Sequence, residues 1–251
     1  MRNVLLLGGT TKASALAALL AAGGVAATLS YAGRTQSPRP QPVPVRIGGF
    51  GGIGGLAGYL REHRITHLVD GTHPFAATMS TNAIAAARLA GVAHIALTRP
   101  AWVPTEEDRW SRVADIAGAV AALTVPPRRI LLALGRMHVD AFVAQPQHRY
   151  LLRFVDVPDQ PPPLPHYSLI VDRGPFTVDG DVAVLRDHAI DLVVCKNAGG
   201  SGAEAKLIAA RRLGVPVLMI DRPAMPERHQ MCDPAAVLDW LLHDTSAERG
   251  V

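Results

Sequence analysis

The chain has 251 residues, 49% hydrophobic but only 5% aromatic, and a formal charge of +4 from 25 basic and 21 acidic residues. That length holds one large or two small domains, packed chiefly by Ala, Leu, Val and Gly. The mild positive excess forms no basic stripe with interleaved aromatics, which argues against a nucleic-acid partner and fits a polyanionic small molecule or a phosphorylated cofactor.

Residues 4–7 read as a buried strand, 12–22 as a helix stopped by Gly23 and Gly24, and 25–31 as the next strand. The apolar stretch 13–32 has the length of a membrane span, but the glycine pair breaks it, so no membrane partner is expected. A Pro-rich connector, 37–44, leads to a strand at 45–47, and glycine-rich 48–55 opens a helix to about His63. A strand at 67–70, a helix at 76–90 and a strand at 94–97 follow. The alternation pauses at TRPAW, 98–102, and restarts with a strand at 109–113, a helix at 115–123, a strand at 129–134, a short helix at 137–143 and a strand at 149–155. After a Pro-rich loop at 157–165 come a strand at 168–171, a helix at 177–188, a strand at 192–195, a helix at 203–213, a strand at 217–220 and a helix at 234–242.

Short continuous apolar strands between helices predict parallel sheets covered on both faces, hence an α/β fold. The pause near residue 100 divides the chain into domains 1–101 and 102–243 with a cleft between them, and 244–251 reads as a frayed tail. No internal repeat of fixed period is visible. Cys195 and Cys232 lie in no CxxC or zinc spacing, so both are expected reduced, with no metal. A strand beginning directly after the first residues leaves no signal peptide apparent and points to the cytoplasm.

The stretch LLLGGTTKA, 5–13, is strand, glycine turn and helix. Gly8 and Gly9 let the backbone approach a phosphate, the helix start offers N–H groups and positive dipole, and Thr10 and Thr11 add hydroxyls. The full G-x-G-x-x-G fingerprint is absent, so a plain tight turn with a threonine N-cap stands as the alternative. TLSYAGRT, 28–35, carries no carboxylate where NAD-binding folds place one; Ser30 and Arg34 stand there instead. A hydroxyl and a guanidinium bind a 2′-phosphate that an acid would repel, so NADPH is favoured over NADH. The glycines of 48–55 suit a backbone lying against a ligand.

DGTHPFA, 70–76, falls at the C-terminal end of a predicted parallel strand, where α/β sheets bind ligands. Thr72 and His73 would point into the cleft or cap a helix, with Pro74 in that helix's first turn. CKNAGGSGAEAK, 195–206, has Lys196 and Asn197 leaving a strand, and Gly199 and Gly200 turning. It is no nucleophile elbow, because six residues separate Cys195 from Ser201, and Ser201 with Glu204 reads as a capping box. Lys196 and Asn197 remain as a cation and an amide facing the cleft.

Taken in order, LLLGGTTKA, SYAGRT, GGFGG, DGTHPFA, TRPAW, LALGRMHVDAF, RGPF, CKNAGG and AARRLGVPVLMIDRP resemble the precorrin-6A and cobalt-precorrin-6A reductases of cobalamin biosynthesis. The resemblance implies two Rossmann-like domains and NADPH-dependent reduction of one double bond in a carboxylate-rich tetrapyrrole, giving precorrin-6B. It implies that Gly8, Gly9, Thr10, Thr11 and Lys12 hold the pyrophosphate side, and Ser30, Gly33, Arg34 and Thr35 the 2′-phosphate side. Thr72, His73 and Pro74 would line the nicotinamide end. His73 is the one side chain considered as a proton donor, although positioning is the preferred role. Asp70, Lys196, Asn197, Gly199 and Gly200 would form the substrate side, with Arg99, Arg136, Arg153, Arg173 and Lys196 as candidates to neutralise substrate carboxylates. The family often has Gly-Glu at Thr11-Lys12, Ala at Gly71 and Ser at Ala198. A monomer or weak homo-oligomer is expected. A short-chain reductase is disfavoured because Tyr31, Tyr59, Tyr150 and Tyr167 all lack a lysine four residues on. Another NADPH-dependent reductase of a small anion, or a non-catalytic nucleotide-binding module, remains the alternative.

Overall fold

The structure, a computed structural model, describes residues 2–33 and 40–244. In chain order the first strands are β1 (Asn3–Leu7), β2 (Ala26–Tyr31), β3 (Val45–Ile47), β4 (His67–Asp70), β5 (Ala93–Leu97) and β6 (Trp110–Val113). They are followed by β7 (Arg129–Ala133), β8 (Arg149–Phe154), β9 (Tyr167–Val171), β10 (Leu192–Lys196), β11 (Val217–Ile220) and β12 (Gln230–Met231). The α-helices are α1 (Thr11–Ala22), α2 (Gly52–Glu62), α3 (Ala77–Ala90), α4 (Ile116–Ala122), α5 (Val178–Asp187), α6 (Ala205–Leu213) and α7 (Pro234–His243). The short helix expected at 137–143 is a 3₁₀ helix, Arg136–Ala144.

The chain forms two compact units. The first contains a six-stranded sheet in the order β12-β5-β4-β1-β2-β3, the second one in the order β6-β11-β10-β7-β8-β9, and every pairing is parallel. The predicted parallel α/β architecture is therefore present twice, as two Rossmann-like sheets with helices. The domain boundaries need one correction. Ala101–Pro223 forms the second unit, but Ala224 onward returns to the first, so 224–243 does not belong to the second domain. The strand β12 that makes this return was not predicted, because two residues between proline-rich loops carry no periodicity.

Burial follows strand position. The inner strands β4 and β11 are buried at every residue, whereas Val45 and Ile47 on the edge strand β3 are exposed. One face of the first sheet packs Val4, Leu6, Leu29, Val69 and Ile95 against Leu16 and Leu20 of α1 and Val237 and Leu241 of α7. The other face packs Leu5, Leu7 and Leu68 against Leu56 and Leu60 of α2 and Ala83, Ala86 and Ala87 of α3. In the second unit Leu131, Leu151, Val193 and Met219 meet Leu185, Leu207 and Ala210. Small residues on α3 and α6 let the helices lie close to the sheets.

Helix starts follow local chemistry. Thr10, Asp115, Thr177 and Asp233 each accept a backbone N–H of the first turn through the side-chain oxygen. Two expectations fail at helix starts. Pro74 lies in a turn, and α3 begins only at Ala77. Ser201 and Glu204 form no capping box: Ser201 opens a single 3₁₀ turn, and Glu204 precedes α6 with no side-chain cap bond.

Candidate functional site

In both sheets the connections reverse direction at one point, between β1 and β4 in the first unit and between β7 and β10 in the second. Loops leaving the C-terminal ends of the strands at such a point flank the crevice where α/β sheets bind ligands. The glycine turn follows β1 and the DGTHP segment follows β4. LGRMH follows β7 and KNAGG follows β10. In each unit a bond ties the two loops together. Thr10 Oγ1 donates to the Gly71 carbonyl at 2.8 Å, and Lys196 Nζ donates to the Leu134 carbonyl at 3.5 Å.

The first turn packs its backbone against side chains of β2. A Cβ on Gly8 would lie 2.7 Å from Leu29 Cδ1, and Gly9 has a φ of +117°. Thr10 Oγ1 also accepts from Ala13 N at 3.2 Å. Its hydroxyl hydrogen is thus committed to Gly71, so the hydroxyl shapes the turn, while the other first-turn amides of α1 lack an acceptor within the helix. Thr11 is the first residue of α1. The Lys12 ammonium donates to the Cys232 carbonyl, clasping the returning C-terminal segment.

At the end of β2, Ser30 is buried. Its register partner on β3 is Arg46, whose Nη1 donates to Ser30 Oγ at 3.3 Å and to Gly48 O at 2.6 Å. Gly33 follows with φ +76°, and Arg34 and Thr35 lie outside the described residues.

The DGTHP segment is organised by a buried carboxylate. Asp70 Oδ1 accepts from the Thr72 amide at 3.1 Å and the Thr72 hydroxyl at 2.6 Å, while Oδ2 pairs with Arg228 Nη1 at 3.1 Å. Asp70 is 3% exposed. It is spent on fixing Thr72 and the return segment. The half-buried His73 accepts the Phe75 amide on Nδ1 at 3.2 Å, which puts the proton of the neutral ring on Nε2. On the inner side of β5, burial holds the His94 imidazole below its ordinary value, and Asp70 opposes this only in part.

In the second unit Asn197 is 5% exposed. Its Oδ1 accepts the Trp102 amide at 2.8 Å and its Nδ2 donates to the Trp102 carbonyl at 3.0 Å. Both ends of this amide brace the Trp102 backbone. Trp102 Nε1 donates to Gly200 O at 3.0 Å, and Arg222 donates to the Asn197 and Ala198 carbonyls at 2.9 and 3.0 Å. Gly199 and Gly200 have φ of +69° and +75°. Beneath the loop, the Lys206 ammonium donates to the Ala203 carbonyl and lies 4.7 Å from the Trp102 ring; burial pulls it below the usual lysine value.

The cations considered for substrate carboxylates divide. Arg153 is buried against Asp181 at 2.6 Å and stacks on Phe176, and Arg173 pairs with Asp156 at 2.9 Å, so both already have acidic partners. Arg136 is exposed at the start of the loop after β7, Lys196 is half-buried at the end of β10, and Arg99 is half-buried just beyond β5. Sequence reading missed Arg46, Arg228, Trp102, Arg222 and Lys206. Trp102, Lys206 and Arg222 fall inside quoted stretches, TRPAW, CKNAGGSGAEAK and AARRLGVPVLMIDRP, but Arg46 and Arg228 carried no such signal.

Among the described residues no group of three or more His, Cys, Asp and Glu could hold a metal, and no helix is long and apolar enough to cross a membrane. A glycine turn at the switch point of a parallel sheet, in a chain with two such sheets, defines a Rossmann-like protein of the nucleotide-dependent class. The model of the family "Precorrin-6x reductase CbiJ/CobK" matches residues 3–242. The chain is 53% identical over 251 residues to the precorrin-6A reductase of Rhodobacter capsulatus, with all of both chains covered. It is 48% identical over 244 residues to that of a Sinorhizobium species, covering 95% of this chain and 94% of the relative. A solved structure described as CobK precorrin-6A reductase superposes with a TM-score of 0.94 at 53% identity over all of both chains. The chain belongs to the precorrin-6x reductase CbiJ/CobK family, and the reductase family implies a nucleotide cofactor.

Proposed function

We propose that this protein reduces one double bond of precorrin-6A, an oxidoreductase step of cobalamin biosynthesis, with NADPH as hydride donor. The full-length match to the Rhodobacter capsulatus relative carries this reading. The residues present suit a dinucleotide: the Gly8–Gly9 turn leaves room for a pyrophosphate, and the end of β2 offers a hydroxyl and no carboxylate. NADPH supplies the hydride, and the protein positions and shields it.

In this reading the amides of Gly9, Thr10 and Thr11 receive the pyrophosphate, and Lys12 holds the C-terminal segment against α1. Ser30, Gly33, Arg34 and Thr35 surround the 2′-phosphate side; Arg34 and Thr35 are assigned from sequence alone. Thr72, His73 and Pro74 form the nicotinamide end, with Thr72 held by Asp70. His73, whose Nδ1 receives the Phe75 amide, orients a ligand in this reading. Arg99, Arg136 and Lys196 receive tetrapyrrole carboxylates, and the braced Asn197–Gly200 loop shapes the substrate surface. The protein works in the cytoplasm, without nucleic-acid or membrane partners, as a monomer or weak homo-oligomer.

Anaerobic incubation with precorrin-6A and NADPH tests this. The expected product is heavier by two hydrogens, with one NADPH consumed per macrocycle. Nucleotide binding without turnover would favour the non-catalytic module instead.

A further inference from the structure

We infer that Arg46, on β3, is the residue that sets the choice between a 2′-phosphorylated and an unphosphorylated dinucleotide, acting with the Ser30 hydroxyl. This rests on the dinucleotide reading above and adds a determinant outside the SYAGRT stretch. In a Rossmann-like sheet the end of the second strand meets the adenosine ribose, and a nearby arginine accommodates a 2′-phosphate where an acid would grip the free hydroxyl. The register places Arg46 directly beside Ser30 there.

The guanidinium is preorganised. Nη1 donates to Ser30 Oγ at 3.3 Å and Gly48 O at 2.6 Å, and Nη2 donates to Gly49 O at 2.7 Å. Its Cζ sits 3.8 Å from the centre of the Phe50 ring, which fixes the plane. Nε–H and one Nη2–H have no acceptor among the described residues, so the group keeps donors for an anion while its orientation is set. No neighbouring acid cancels its charge along the chain. Residues 1–61 include Arg2, Lys12, Arg34, Arg39, Arg46 and Arg61 and no Asp or Glu, the first acid being Glu62. The half-buried Arg46 makes no ion pair among the described residues, so its charge is available to a phosphate dianion and makes no difference to a ribose hydroxyl.

The test is calorimetric titration of the full chain and its Arg46→Met and Arg46→Lys variants with NADP+, NAD+, 2′,5′-ADP and 5′-AMP. Losing a charge-assisted bond to phosphate should weaken NADP+ and 2′,5′-ADP by about tenfold to a hundredfold in Arg46→Met. NAD+ and 5′-AMP should stay within about threefold, and Arg46→Lys should fall between. Equal weakening of all four ligands would mean that Arg46 merely props the Gly48–Gly49 backbone, and would overturn the inference. So would unchanged discrimination in Arg46→Met while Arg34→Ala abolishes it. If the unaltered chain binds NAD+ as tightly as NADP+, the NADPH reading itself fails and the inference falls with it. Because Arg46→Lys retains charge and stem, it gives an answer even if Arg46→Met does not fold.

Discussion

At the scale of single residues, the site is built from polar groups whose capacity is already committed. His73 illustrates the consequence for chemistry. Its Nδ1 receives the Phe75 amide, and Asn at this position can still accept that bond while offering no titrating ring. General acid catalysis contributes about 10²–10⁴ in rate. His73→Asn is therefore expected to retain kcat within about tenfold and to keep the pH profile of kcat/KM. A loss beyond about a hundredfold, together with disappearance of a limb of that profile, would make His73 the acid. Asp70 makes a different point. Its carboxylate serves three donors and is 2% exposed in the pair with Arg228, so Asp70→Ala leaves a largely buried guanidinium, 12% exposed, without this partner. That should cost roughly 3–5 kcal/mol in urea unfolding. Sequence could mark DGTHP as a strand-end motif, but not that Asp70 is its anchor, because its partner lies 158 residues away in a segment without periodicity.

At the scale of elements, the alternation of apolar strands and helices was readable because each central strand is buried on both faces. Loops that depend on close approach were less readable. The glycines of 48–55 do not all form one loop: α2 begins at Gly52, and a Cβ on Gly55 would lie 1.7 Å from the Phe50 carbonyl oxygen. Backbone cannot give way as a flexible side chain can, so Gly55→Ala should cost about 1–3 kcal/mol and disturb the Gly48–Gly49 carbonyls that hold Arg46. Thermal melts with and without nucleotide would detect both effects.

The strand β5 carries an electrostatic penalty of its own. Burial holds His94 below its ordinary value of 6.5, and burial also lowers His67 on β4. Below about pH 6.5 the unfolded chain then binds more protons than the folded one, so stability falls as the pH drops, until the folded imidazoles also protonate. Urea midpoints measured across that range should show the decline, and His94→Gln should flatten it. A wild-type slope unchanged by the substitution would remove His94 from the account.

For the whole molecule, five strands of each unit follow the same order although the sequence shows no repeat. Order depends on which strands pair, and pairing leaves no period in the sequence. The shared order covers five strands of each sheet; the edge strand beside them is the unit's last, β12, in the first sheet and the unit's first, β6, in the second. The C-terminal segment is therefore part of the first unit's core. Val237 and Leu241 of α7 are fully buried against α1 and the sheet. At about 1.5–3 kcal/mol for each buried side chain, their loss is large against a typical domain stability of roughly 5–15 kcal/mol. A chain ending at Pro223 should lose the cooperative unfolding of the first unit and with it nucleotide binding. If that truncated chain titrates nucleotide normally, the return of 224–244 has no stabilising role.

Hydrophobic period, glycine turns and capping residues act within a few neighbours, so the sequence by itself determined the parallel α/β class, most elements and the two strand-end motifs. The family resemblance was legible for a related reason: ordered short motifs survive without any knowledge of their contacts. Tertiary structure alone decided which polar groups remain available. It buried Asp70 and Asn197 in bracing bonds, set Arg46 beside Ser30 and sent residues after Pro223 back to the first sheet. Each of these depends on a partner brought in by sheet register or chain return, and no local pattern encodes such a partner.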